Sequence, residues 1–291
     1  MTVIKIIEGL LYVLLLPLAW GLLTGGERYL RSALKGKKKL SDPFQPFRDL
    51  IGLFRLIPIK EEPACLYCAA LNAFFGALAG CVFLVRGNLI AVIILIAIAN
   101  AAYAAGFWFS ARNASEGRTG EDNRRNGERE LFRGMVQSLL YSMVIMGCFL
   151  VTGFYTGRGS FSADGIWAAE TVVGRFFPAV LTSMVVFGLF LRRKSYVDDN
   201  APEIYTGRNL AILELGRWYE SAVYFGMLFL LHFSGNLLSG LVGGFVCLLA
   251  GLLRILLLPF SGGLRDRMLH MTIGWGLFLL CLLNFALVLG R

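Results

Sequence analysis

The sequence predicts an all-α, polytopic membrane protein: about eight transmembrane helices plus one amphipathic helix lying in the membrane interface. Three observations carry this. The 291 residues are 57% hydrophobic and only 16% charged, with a mean hydropathy of +0.66, more apolar surface than a soluble domain of this length can use. The apolar residues fall into runs long enough to cross a hydrocarbon layer of roughly 30 Å. Basic residues gather in every second gap between the runs, as they do in cytoplasmic loops. The whole chain, 1–291, then forms a single integral membrane domain.

The runs cover approximately 3–24, 65–85, 88–109, 134–156, 172–192, 209–233, 236–258 and 268–290. The first holds a single Lys5 near its start and lacks a small-residue cleavage site. It is too long for the apolar part of a signal peptide and is expected to be retained. Arg86–Gly87–Asn88 and Ser234–Gly235–Asn236 leave room only for tight turns, which sets two antiparallel hairpins. With eight spans, the odd loops share one side. They carry the Arg and Lys of 28–39, the arginines between Arg112 and Arg133, Arg192, Arg193, Lys194 and Arg208, and Arg265 with Arg267. The even loops hold little beyond Arg86 and Arg158. The odd loops are therefore assigned to the cytoplasm and both termini to the opposite side. The net charge of +9 is accounted for by these loops and does not call for nucleic acid. No internal repeat is evident, which weighs against the inverted-repeat transporter plan.

Residues 25–64 separate the first two runs and are too charged to cross. Arg28, Arg31, Lys35, Lys37, Lys38 and Lys39 make a basic strap. Behind it Phe44, Phe47, Leu50, Ile51, Leu53, Phe54 and Ile57 recur at helical spacing, with Arg48, Asp49 and Arg55 between them. That pattern suits a helix whose apolar face lies in the acyl boundary. Pro43 and Pro46 fit its first turn, Asp42 can cap it and Pro58 helps end it. The strap reads either as an ordinary basic loop or as a seat for a soluble partner. The polar cytoplasmic loop 110–133, rich in Gly, Asn and Arg, reads in the same two ways.

Nothing marks a self-contained enzyme. There is no phosphate-cradling glycine loop, no dinucleotide fingerprint and no nucleophile–base pair at readable spacing. Of six cysteines, Cys81, Cys148, Cys247 and Cys281 lie inside apolar runs, where a thiol acts as a small hydrophobe. Cys65 and Cys68 form one CxxC without a second pair or a nearby His, which argues against a metal or cluster. His232 and His270 read as polar helix-end residues, and the tryptophans as interfacial anchors.

The informative residues are ionisable groups in or near apolar runs. Such groups are costly in lipid and face a protein interior or a watery path. Glu214, Arg217 and Glu220 sit at i, i+3, i+6 near the start of the sixth run, where Arg217 can reach either carboxylate. They read as a self-neutralising group that docks this helix, or as a link in a proton or sodium path. Glu8, Arg175 and Arg254, near helix ends, read as interfacial, and Asn100 and Asn284 as interhelical glue.

The order of residues in the first loop resembles the subunit 1 family of respiratory complex I. Within that family it is most similar to the equivalent subunits of energy-converting and formate-hydrogenlyase-type NiFe hydrogenases. Glu27, Arg28, Gly36, Pro43, Gln45, Pro46, Asp49, Leu50 and Leu53 carry the resemblance. Arg133, followed by Gln137 and Tyr141, resembles the family's Arg…Tyr-Glu segment, with Ser142 where the family has a Glu facing the polar path. Tyr205, Gly207, Leu210, Ala211, Glu214, Leu215 and Trp218 match a second segment, in which Ile204 replaces a Glu. The family's acidic, His-bearing loop before that point is shortened here to Asp198, Asp199 and Glu203. Ser and Ile cannot carry charge, so the resemblance supports subunit identity better than ion pumping.

The resemblance implies a non-catalytic, membrane-embedded subunit of a multisubunit oxidoreductase in the cell inner membrane, with a soluble arm facing the cytoplasm. The chain would anchor that iron–sulfur arm and help move protons or sodium. Docking would fall to Arg28, Arg31, Lys37, Lys38, Lys39, Gln45, Arg48, Asp49 and Arg133. The ion path would use Glu214, Arg217, Glu220, Glu203 and Asp199. No cofactor is expected on this chain. Iron–sulfur clusters, with or without a NiFe centre, would sit in hydrogenase-like small and large subunits, beside antiporter-like membrane subunits in the bilayer. A quinone-chamber subunit of a complex I-type dehydrogenase and a stand-alone ion transporter are the alternatives. Bound quinone would mark the first, and activity of the isolated chain the second.

Overall fold

The computed structural model describes residues 2–34, 42–56, 63–113, 182–188, 207–232 and 237–257, with the single positions 276, 279, 282, 283 and 286. The elements among them are helices: α1 (Thr2–Leu34), α2 (Gln45–Arg55), α3 (Pro63–Leu84), α4 (Leu89–Asn113), α5 (Gly207–His232) and α6 (Leu237–Leu257). Residues 182–188 are also helical. Among the described residues, four stretches are long and apolar enough to cross a membrane: Ile4–Leu34, Pro63–Leu84, Leu89–Gly106 and Leu237–Ile255. The predicted spans 134–156, 268–290 and most of 172–192 lie outside the described residues, apart from the positions just given. The same holds for the 110–133 loop beyond Asn113.

α1 runs past the predicted end of the first span, through Gly25 and Gly26, to Leu34. Arg28 and Arg31 are therefore helical, not part of a loop. Their charges suit the last turns of a helix, where the backbone dipole favours cations. Much of α1 is apolar and exposed, including Ile4, Leu11, Leu14 and Leu18, as suits a surface facing lipid. α3 and α4 form the expected hairpin. Arg86 takes a left-handed conformation (φ 60°), Gly87 N–H donates to Val82 O at 2.8 Å, and Asn88 Oδ1 accepts the Ile90 N–H at 2.8 Å.

α5 is the hub. It packs against α1, α2, α3, α4 and α6, and 17 of its 26 residues are buried. Its first half carries Arg208, Glu214, Arg217 and Glu220, and the two glutamates are buried in the protein, as the cost of charge in lipid requires. Trp218, Val223, Tyr224, Met227 and Leu231 join Trp20, Ala79, Val92, Ile96 and Val185 in the main core. α3 meets α5 at two glycines. A Cβ at Gly216 would overlap Asn72 Oδ1 and the Ala73 backbone, and one at Gly76 would reach 3.2 Å from Gly216 O. Close approach through small residues is the usual way apolar helices pack in membranes.

α2 begins at Gln45, preceded by Phe44 with no side-chain cap. Asp42 sits two residues before the cap position: its Oδ1 accepts the Phe44 N–H at 3.0 Å, and its carbonyl accepts the Gln45 N–H at 3.0 Å. Pro46 falls in the first turn, as expected, and Leu56 ends the helix in an extended conformation. The apolar face read from the sequence divides into two adjacent sectors. Phe47 and Leu50 pack on the main core, and Leu53 on Ala69, Leu210 and Leu213. Phe44, Ile51, Phe54 and Leu56 stay exposed.

Candidate functional site

The site lies where α1, α2, α5 and α6 converge. Gly21 and Gly25 on α1 are spaced one turn apart and leave a shallow seat for α2. A Cβ at Gly21 would enter the Phe47 ring, and one at Gly25 would enter the Pro43 carbonyl. One turn further on, Arg28 Nη1 donates to Asp49 Oδ2 at 2.6 Å, and Gln45 Nε2 donates to Asp49 Oδ1 at 2.8 Å. Both carboxylate oxygens are thus engaged, in partly buried, charge-assisted geometry. Arg28, Gln45 and Asp49, all read from the sequence as docking residues, meet in one clasp that ties α2 to α1. Arg48 pairs with Asp42 at 2.8 Å but is two-thirds exposed, so that pair adds little stability.

Beneath the clasp is a buried charge cluster. Glu214 and Glu220 are both buried. Trp218 Nε1 donates to Glu214 Oε1 at 3.0 Å, one turn along α5. Arg217 Nη1 lies 4.0 Å from Glu220 Oε2, at the outer limit of an ion pair. Arg254 on α6 faces Glu27 on α1 at 3.3 Å, and its electrostatic neighbours also include Arg31, Arg217 and Glu214. Three acids and three arginines from α1, α5 and α6 therefore share one interior. The sequence reading confined the group to one flank of one helix; the fold adds Glu27, Arg31 and Arg254. Arg254 is not interfacial as expected. It is 5% exposed, because Glu27 supplies a counter-charge inside.

Lys37, Lys38, Lys39, Arg133, Asp199 and Glu203 lie outside the described residues. Arg31, another expected docking residue, has its Nε buried, where it makes no hydrogen bond among the described residues.

Several polar residues escaped the sequence reading. Trp218 is a buried donor to Glu214 and not an interfacial anchor; its i+4 spacing from an acid was the available signal. Asn72 on α3 is buried, and its Nδ2 donates to Ala99 O at 2.8 Å. Its Oδ1 faces Gly216 and accepts no hydrogen bond among the described residues. Tyr219 Oη donates to Val13 O at 2.7 Å and ties α5 to α1. His232 ends α5, as expected, with Nε2 2.7 Å from Ser183 Oγ.

No family model matches the chain, and no curated protein matches it in sequence. Its fold has a solved counterpart in a chain of the membrane-bound sulfane sulfur reductase (MBS), an archaeal respiratory membrane complex. The TM-score is 0.62 at 14% identity, covering 98% of this chain and 99% of that one. At this identity the likeness is one of fold, and it covers nearly the whole of both chains. With the apolar helices α1, α3, α4 and α6, it supports a membrane location.

Proposed function

We propose that this chain is the membrane anchor and coupling subunit of a multisubunit redox complex of complex I-like and hydrogenase-like kind. The near-complete fold likeness to a chain of a respiratory membrane complex carries this reading, and the Glu27 to Leu53 resemblance points the same way. The soluble iron–sulfur arm would sit on the cytoplasmic side, on Lys37–Lys39 and the exposed polar side of α2, beside antiporter-like membrane partners. α2 would lie in the bilayer interface, with Phe44, Ile51 and Phe54 toward the acyl chains. Electrons would stay in the soluble partners, and Glu214 and Glu220 would respond to them by moving charge. The arginines around them would hold the acids in place. The MBS likeness favours a second reading of the partner, a sulfane-sulfur-reducing large subunit in place of a NiFe one. Nickel analysis separates the two.

Removing this chain from its native cell and fractionating the extract tests the proposal. Redox activity and its iron–sulfur proteins should move from the membrane to the soluble fraction. Unchanged membrane attachment would refute anchoring.

A further inference from the structure

We propose that Trp218 is a positioning residue through which α2 sets the direction of the buried Glu214 carboxylate. This rests on the coupling role just proposed and adds to it a path within the chain. The path begins at Asp49, whose two oxygens are held by Arg28 and Gln45. Phe47 stands two residues away on the same short helix. Its ring fits against Gly21, where any side chain would displace it, and meets the Trp218 ring edge-on, with centroids 6.1 Å apart and planes at 82°. Trp218 is 3% exposed, and its single N–H donates to Glu214 Oε1.

Each contact in this path is directional. An edge-on aromatic pair has a preferred geometry, an indole has only one donor, and a buried carboxylate loses more from an unmade bond than an exposed one. A shift of α2 on its seat therefore turns the indole, and turning the indole withdraws the N–H from Glu214. The exposed side of α2, with Arg48 and Arg55, is where a soluble partner would press. A Trp218 that only fills the core would leave Glu214 indifferent to α2.

The test uses the protein as purified from its own membranes, with 5-fluorotryptophan incorporated. The Trp218 fluorine signal is the one lost in Trp218→Phe. Asp49→Asn and Phe47→Leu should each move it. The Trp108 signal on α4 should not move in any of these variants. Glu214 is read separately by mass spectrometry after labelling with dicyclohexylcarbodiimide. Phe47→Leu and Trp218→Phe should each change Glu214 labelling by about tenfold, the scale of one hydrogen bond to a charged group, without changing that of Glu220. The double variant should show no more than the larger single effect, since both act through one path. If Phe47→Leu fails to accumulate, Asp49→Asn takes its place in both readouts. A Trp218 signal that ignores Asp49→Asn, unchanged Glu214 labelling, or additive effects would overturn the proposal. Neither readout needs turnover or a partner. A chain with this linkage that binds no redox partner would overturn the proposed function and leave the linkage standing.

Discussion

Glu27 and Arg254 come from opposite ends of the chain and face each other at 3.3 Å, with the arginine side chain 6% exposed and the glutamate 17%. Neither residue is informative alone. In sequence Glu27 belongs to a basic stretch and Arg254 to the end of an apolar run. Together they join α1 to α6 over the start of α5. Removing one partner of a buried pair strands the other charge, at a cost of about 3–5 kcal/mol. Arg254→Met should destabilise the folded chain on that scale, and Glu27→Leu combined with Arg254→Met should recover most of the loss. Thermal unfolding in detergent measures both. Equal stability of Arg254→Met and wild type would remove this pair from the account.

The two glycine contacts make a packing prediction. Gly216→Ala pushes against Asn72 and the α3 backbone, and Gly25→Ala against the Pro43 carbonyl. Each should cost about 1–3 kcal/mol, as overpacking does. The outcomes differ in place. Gly216→Ala lowers the unfolding temperature of the helical body, whereas Gly25→Ala loosens α2 and speeds proteolysis within it. Gly244→Ala, whose Cβ would meet no atom within 4 Å among the described residues, is the control and should not destabilise, since a helix favours alanine over glycine.

Docking and the clasp can be separated. Lys37, Lys38 and Lys39 changed together to Ala should release the soluble arm, more readily as salt rises, because exposed charges are screened over about 8 Å at physiological ionic strength. Arg28→Ala should release it too, but by freeing Asp49 and loosening α2, with little salt dependence. Salt titration of arm release from inside-out vesicles distinguishes the two. An arm that the triple-lysine variant retains at every salt concentration would exclude the strap as its seat.

The helices were legible where a single periodicity governed them. α3, α4, α5 and α6 begin and end within a few residues of the apolar runs, since length, hydropathy and tight turns leave few choices. α1 was harder, because two glycines and a change to charged residues at 27 and 28 suggest an ending. The Gly21 and Gly25 contacts with α2 offset that local weakness. The site was legible only in part. Glu214, Arg217 and Glu220 stood out as charges near an apolar run, but their partners Glu27, Arg31 and Arg254 come from distant helices that no local spacing connects. The face of α2 was readable as apolar, and its division between protein and exterior was not, because that depends on α5. Ser142, Ile204, Asp199 and Glu203, which the resemblance sets on or near an ion path, lie outside the described residues.

Glu214→Gln removes the titratable charge and leaves an oxygen that can still accept the Trp218 N–H. Assembly should therefore survive close to the wild-type level, while ion movement per electron falls. Vesicles reconstituted with the purified complex report both quantities. Normal coupling together with reduced assembly would end the ion-path role of Glu214.

Anchoring of a redox arm is tested most directly by the iron and acid-labile sulfide content of material purified through a tag on this chain from native membranes in mild detergent. Iron and sulfide should appear in fixed proportion to the chain, with iron–sulfur and antiporter-like proteins in the same preparation. A chain that purifies alone, free of iron, and moves ions by itself in vesicles would contradict anchoring.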